Sequence, residues 1–139
     1  MSKLSLHIVS QEKKLVEVQA DQVTAPSSQG EITILPHHIP LFTELVLGEL
    51  RYLAKGVEHT VVITKGFLTI DPNNIVTVMV DSATLDRDIS EQKAQAAIEA
   101  AKHTMSASTD RRELIMAEAS LRQALLEIKV AQKTKKTTI

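Results

Sequence analysis

The sequence predicts an all-β sandwich followed by an antiparallel α-helical hairpin. Up to Val80, short apolar runs alternate with polar residues and are separated by turn residues, a spacing typical of an antiparallel sandwich or barrel. From Ser90 onward the sequence contains no glycine or proline, and apolar residues recur at helical spacing. Because the pattern changes near Asp86, we predict two domains, a β-sandwich over residues 1–85 and a two-helix hairpin over residues 86–139.

The strand region begins with Leu4, Leu6 and Ile8, which alternate with less apolar residues as expected of a strand with one buried face. A second alternating run ends at Ala20, after which the apolar phase shifts by one residue. One inserted residue produces such a shift, so we predict a bulge or bend near Asp21.

The segment from Gly30 to Arg51 holds the densest set of turn-forming residues. Within it, Pro36 and Pro40 bracket two adjacent histidines. Proline fixes φ and cannot donate a backbone hydrogen bond, so this stretch belongs at a sheet edge or in a structured loop. We expect the loop to present a surface to a partner.

Further strands follow in the same pattern. One ends at Lys55-Gly56. Residues 60–64 and 67–70 form two strand pieces around a kink at Lys65-Gly66. Residues 71–74 are a strong turn signal, and residues 75–80 form a β-branched strand.

The first predicted helix runs from the N-cap Ser90 to about Met105, and the second begins where Asp110 and Glu113 resemble a capping box. Small residues dominate the facing positions. On the first helix these are Ala94, Ala97, Ala101 and Met105 beside Ile98, and on the second Leu114, Leu121, Ile128, Ala117, Ala124 and Ala131. Burial of an alanine at such a position contributes about 2 kcal/mol less stabilisation than burial of a leucine would. We therefore expect a marginal hairpin that leans on a partner or exchanges between two states.

Composition restricts the possible functions. The chain carries 16 basic and 17 acidic side chains, a formal charge of −1, so no polyanion-binding signature appears in the chain as a whole. There are no cysteines, which excludes disulfides and cysteine nucleophiles. No apolar run is long enough to cross a bilayer, and the first residues lack the apolar core of a signal peptide, so we expect a soluble cytoplasmic protein.

No catalytic pattern is present. Serine, histidine and aspartate all occur, but without a nucleophile elbow or a Walker-type phosphate loop. His37 and His38 are two potential metal ligands, yet no acidic or cysteine cluster is spaced to complete a site. We expect no catalytic residue, metal or cofactor, and we interpret the two histidines as a partner-contact loop, with simple solvent exposure as the alternative.

Several short motifs follow one another along the chain. They are Gly30-Glu31, Pro36-x-His38-x-Pro40-Leu41, Gly48-x-Leu50-Arg51, Gly66-Phe67-Leu68 and Val76-Thr77-Val78, followed by the alanine-rich hairpin. This ordered set, which is more specific than any of its parts, resembles the epsilon subunit of bacterial F-type ATP synthases, and the match covers essentially the whole chain.

The resemblance implies a non-catalytic subunit of the rotating central stalk, peripheral to the cytoplasmic face of the bacterial inner membrane. Its sandwich would lie between the gamma subunit and the ring of c subunits, with Glu31 and His38 at the c ring. Its mobile hairpin would inhibit ATP hydrolysis by contacting the alpha and beta subunits, here through Arg122, Lys129 and Lys133.

The chain departs from the family pattern at several positions. Thr33, His37 and Lys65 stand where the family often has glycine. Members that bind ATP in the hairpin carry Asp and Arg where this chain has Ser90 and Lys93, and lysine lacks the bidentate geometry of arginine. Two further second-helix arginines are replaced, by Gln123 and Glu127. The resemblance therefore implies weak or absent nucleotide binding at Lys93.

A second hypothesis is a free-standing module that binds a small ligand or nucleic acid through its helix pair. Phe, Tyr and Trp make up 2% of the chain, and bases need aromatic platforms on which to stack. The hairpin is also only mildly basic, with 10 basic and 8 acidic side chains from residue 85 onward. Both observations favour the rotor subunit, with no nucleic acid among its partners.

Overall fold

The computed structural model describes residues 2–137. Its contacts divide the chain after Leu85 into two compact units, which we call the β-unit and the hairpin unit. The division follows the change of pattern in the sequence, because alternating apolar residues can close a sheet and helically spaced ones cannot.

The β-unit contains ten strands in one continuous sheet that nearly closes on itself. Their order is β10-β7-β6-β3-β5-β8-β9-β1-β2, and β4 lies beside β3 off this path. The strands are β1 (Leu4–Val9), β2 (Lys14–Ala20), β3 (Gln22–Ser27), β4 (Gly30–Ile34), β5 (Leu41–Leu45), β6 (Gly48–Ala54), β7 (Val57–Ile63), β8 (Gly66–Ile70), β9 (Ile75–Val80) and β10 (Ala83–Leu85).

Alternating side chains of these strands form one aliphatic core. Leu4, Leu6 and Ile8 of β1 are fully buried, and Leu68 of β8 and Val78 of β9 are buried in the same cluster. Together with the helix pair described below, this confirms the predicted fold class of a β-sandwich followed by a helical hairpin.

The sheet is not wholly antiparallel. Strand β1 pairs antiparallel with β2 on one side and parallel with β9 on the other, where Leu6 lies opposite Val76. The sequence pattern predicted the strands but not this pairing, because the alternation of one strand carries no information about its neighbours.

One local prediction is confirmed and one needs correction. The chain bends at Asp21, which separates β2 from β3, as predicted, and a separate register shift lies between Ile8 and Val9. Lys65-Gly66 is more than a kink, because β7 and β8 are not neighbours in the sheet. A Cβ on Gly66 would lie 2.0 Å from the carbonyl oxygen of Met79, so the close approach of β8 to β9 requires glycine there.

The hairpin unit starts with a single 3-10 turn, Asp86–Asp88, followed by α1 (Glu91–Ala107) and α2 (Arg111–Thr137). Ser90 is the N-cap of α1, as predicted, and its hydroxyl accepts a hydrogen bond from the Lys93 backbone N–H at 3.2 Å. At the start of α2 the predicted capping box is only half right. Asp110 accepts from the Arg112 N–H at 2.9 Å, but Glu113 accepts from the Ser108 hydroxyl rather than from Asp110.

The seam between the helices is narrow. Its buried cluster consists of Ala94, Ile98 and Ala124, with Ala97, Leu121 and Ile128 packed against it. Met105, which we expected on this seam, is 41% exposed. It lies near the end of α1, where an open groove lined by alanines, Thr104 and Met116 separates the helices.

Polar contacts close the other end of the hairpin. The Lys135 ammonium lies 2.8 Å from a carboxylate oxygen of Glu91, and the Thr134 hydroxyl donates to the Asp86 carboxylate at 3.0 Å. The end of α2 is thereby held to the start of α1, which makes the pair antiparallel.

Candidate interaction surfaces

Glu31 projects from the beginning of β4, a strand that lies off the main sheet path. Its carboxylate is 55% exposed, and one oxygen lies 3.0 Å from the guanidinium of Arg51 on β6. Strand β3 runs between these two residues, so the ion pair crosses a strand. The predicted contact residue is therefore held in place by a side chain that sequence spacing did not connect to it.

His38 lies in the loop between β4 and β5, and its ring Nδ1 is 2.7 Å from the backbone carbonyl of Ile39. His37 beside it has a φ of 70°, in the left-handed region that glycine adopts without strain. The His37 N–H donates to the Asn74 side chain at 2.6 Å, and its ring Nε2 lies 2.9 Å from the Ser2 hydroxyl. Histidine here adopts a backbone conformation that favours glycine, which is the residue that the resemblance led us to expect at this position.

Glu31 and His38 have separate partners, a guanidinium across the sheet and a carbonyl of the same loop. Leu35 and Ile39 on either side of His38 are exposed. In the part of the chain that the structure describes, no group of three His, Asp or Glu side chains converges to hold a metal ion.

An exposed apolar patch lies on the outer face of β5, β8 and β9. The two phenylalanines of the chain, Phe42 and Phe67, stack with ring centroids 5.3 Å apart, and Met79 lies opposite Phe67 in the register. Phe42 is 66% exposed, and the other two are also exposed. Contiguous exposed apolar side chains mark a binding surface. We call these three residues the phenylalanine patch.

The basic residues predicted on the second helix lie along one exposed face of α2. Arg122 and Lys129 are seven positions apart and Lys133 follows four later, so all three share that face. The Arg122 guanidinium lies 3.9 Å from a carboxylate oxygen of Glu118. The exposed apolar side chains of Ile115 and Leu125 lie along the same face.

Lys93 is in the first turn of α1 with its side chain exposed. Its backbone N–H completes the cap on Ser90. None of the described helices is long and apolar enough to cross a membrane.

Comparison with known proteins identifies the family. Residues 3–86 match the family model described as ATP synthase, Delta/Epsilon chain, beta-sandwich domain. An ATP synthase epsilon chain from Syntrophobacter fumaroxidans is 38% identical over 95% of this chain and 98% of its own. The chain belongs to the ATP synthase epsilon-chain family. A second epsilon chain, from Dehalococcoides mccartyi, is 39% identical over 98% of this chain and 97% of its own, so the relationship includes the hairpin unit.

Solved structures show the same fold. A chain in the mitochondrial ATP synthase of Euglena gracilis superposes with a TM-score of 0.67 at 20% identity and covers 99% of this chain and 82% of its own. A chain in the central stalk and c-ring structure from Tetrahymena thermophila gives 0.65 at 13% identity, covering 94% of this chain and 97% of its own. The fold of this chain therefore also occurs at low sequence identity.

Proposed function

We propose that the chain is a non-catalytic central-stalk subunit of an F-type, proton-translocating ATP synthase at the cytoplasmic face of a bacterial inner membrane. The β-unit binds the gamma subunit and the c ring, and the hairpin unit slows ATP hydrolysis by contacting the alpha and beta subunits. The observation that carries this proposal is the near full-length relationship to proteins named ATP synthase epsilon chain.

The phenylalanine patch supports a large apolar partner for the β-unit, and we assign it to the gamma subunit. Stacked, exposed aromatic side chains provide contact area with little conformational entropy to lose. We assign the c-ring contact to Glu31, near the start of β4, and to His38, in the loop between β4 and β5. A unit with a closed aliphatic core suits this role, because it transmits force without deforming.

The hairpin unit supports a regulatory role. Its small buried cluster makes displacement of the helices inexpensive, and the exposed face of α2 combines basic and apolar side chains. Such a face fits an acidic, partly apolar partner surface. We assign it to the catalytic alpha and beta subunits, with Arg122, Lys129 and Lys133 as the contact residues.

We expect nucleotide binding at Lys93 to be weak or absent. The position that carries aspartate in ATP-binding members is Ser90, whose hydroxyl is engaged as the helix cap. A lone exposed lysine presents a point charge rather than the fork that grips a phosphate.

The experiment that tests this function compares ATP hydrolysis by an alpha-beta-gamma complex alone, with the full chain, and with a version ending at Leu85. We expect both versions to bind and only the full chain to slow hydrolysis. The full chain with Arg122, Lys129 and Lys133 changed to glutamine should bind and inhibit less. A matched variant with three exposed cations away from this face, Arg87, Lys102 and Arg112, changed to glutamine should inhibit normally.

If neither version binds, the rotor-subunit function is wrong. If both bind and neither slows hydrolysis, the β-unit assignment stands and the inhibitory role of the hairpin is wrong. If the two triple variants lose inhibition equally, the inhibition depends on total charge rather than on the α2 face.

A further inference from the structure

We propose that Arg51 is a positioning residue for Glu31. It holds one oxygen of the Glu31 carboxylate so that the other faces the partner. This inference rests on the proposed function, because it concerns the assigned c-ring contact.

The nearest strand neighbours of Glu31 offer its carboxylate no polar side chain. Gly30, directly before it, has no side chain, and Pro26, which lies opposite it in the register, has an apolar one. The exposed carboxylate therefore needs a side-chain partner if it is to keep one orientation.

Arg51 is placed to supply that partner. It lies opposite Thr24 of β3, and Thr24 in turn lies opposite Thr33 of β4, with the two threonine hydroxyl oxygens 3.1 Å apart. Glu31 is two residues before Thr33 and so projects from the same face. Arg51 thus reaches diagonally across β3 to the carboxylate.

Burial makes this arrangement directional. The Arg51 side chain is 26% exposed and lies nearer the sheet, whereas Glu31 is 55% exposed and lies further out. A planar guanidinium restricts carboxylate orientation better than an ammonium does. Arg51 already supplies a cation to the Glu31 carboxylate. The group that fits the outer oxygen is therefore an uncharged N–H or O–H donor on the ring.

The test measures binding of a detergent-solubilised c ring to the alpha-beta-gamma complex carrying the full chain. Glu31→Gln should weaken binding. Arg51→Met should weaken it by about threefold, the scale of one exposed ion pair, and Arg51→Lys should restore part of the loss. Adding Arg51→Met to Glu31→Gln should cause no further loss, because Arg51 acts through Glu31. Lys55→Met, which removes a cation from the turn after β6, should leave binding unchanged.

An exchanged pair, Glu31→Arg with Arg51→Glu, separates positioning from simple bracing of the sheet. Compared with Arg51→Met, the exchanged pair should raise the thermal stability of the β-unit, because an ion pair is present again. It should not restore ring binding, since a cation now occupies the outer position. Restored binding would overturn the proposal. So would normal binding by Arg51→Met when Glu31→Gln is defective. Normal binding by Glu31→Gln would show instead that the ring contact assigned to Glu31 is wrong.

Discussion

The β-unit and the hairpin unit both bury aliphatic side chains, but those side chains differ in size. The β-unit buries leucine, isoleucine and valine in a core contributed by nearly all its strands. The hairpin buries two alanines and one isoleucine at the centre of its seam. Each buried methylene group contributes about 0.8 kcal/mol of stabilisation. The large side chains of the β-unit core therefore contribute more to its stability than the mostly small side chains of the seam contribute to that of the hairpin.

This difference is consistent with the two roles proposed for the units. A unit that gains most of its stability internally can serve as an anchor, whereas helices joined by a thin seam can change partners at small cost. The comparison can be measured, because the chain has one tyrosine and no tryptophan. Tyr52 is buried in the β-unit core, so its fluorescence reports that unit, while helical circular dichroism reports mainly the hairpin.

The largest expected effect is on the anchor. Leu6→Ala removes a fully buried side chain from β1 and should lower the free energy of unfolding of the β-unit by about 2–5 kcal/mol. Urea unfolding followed by Tyr52 fluorescence measures it. Leu125→Ala, the same change at a side chain 51% exposed on α2, is the control and should leave this transition in place. Equal losses would contradict the separation of the two units.

A smaller effect is expected at the seam. Ile98→Ala removes the largest side chain of the buried helical cluster and should cost about 2 kcal/mol, near the lower end for such a truncation. Helical circular dichroism should decrease while the Tyr52 transition keeps its midpoint. If both signals moved together, the units would unfold as one and the hairpin would not be independently displaceable.

The helix cap comes next. Ser90→Ala removes the hydroxyl that accepts from the Lys93 N–H and should destabilise the hairpin by about 1 kcal/mol. Ser90→Asp keeps a capping oxygen and should retain the helicity. Thermal melts at 222 nm distinguish the two variants, and identical melts would mean that the cap contributes nothing measurable.

The smallest effect is on the β-unit surface. A hydrogen bond and the nearby charge of Lys14 lower the pKa of the Glu17 carboxyl below its ordinary value. The lowered pKa means that folding favours the charged form, so this stabilisation is present at neutral pH and is lost as pH falls through the lowered pKa. Lys14→Met should raise the pKa of Glu17 toward its ordinary value, which an NMR titration of the side-chain carboxyl measures. An unchanged titration would show that the pair does not form in solution.

The sequence predicted the fold class because the spacing of apolar residues and the positions of turn-forming residues are local features. Alternation over a strand, the loss of glycine and proline after Gly66 and Pro72, and the cap at Ser90 can each be seen within a few residues. The parallel pairing of β1 with β9 could not be seen, since it joins segments about 70 residues apart. Met105 was misplaced because a helical stripe does not show how far along the helix the contact with its partner helix extends.

The interaction surfaces were predictable to different degrees. Phe67 alternates with Leu68 and Ile70, so a core position for those two places Phe67 outside, and its exposure could have been predicted from that pattern. Its contact with Phe42 could not, because it depends on the pairing of β5 with β8. The ion pair of Glu31 with Arg51 had no such signal, because it crosses β3 and depends on strand order. The left-handed conformation of His37 was hinted at only by the glycine that the family often has there.

The position of β1 between β2 and β9 has a consequence for synthesis on the ribosome. The apolar face of β1 emerges early, but its parallel neighbour is completed only when Val80 has been added. Long-range strand pairing is slow and leaves strand edges unpaired until it occurs. The nascent β-unit therefore cannot complete its sheet before β9 has been synthesised. The hairpin emerges after that strand and is not needed for closure. The order of emergence therefore allows the β-unit to close before the hairpin unit has emerged.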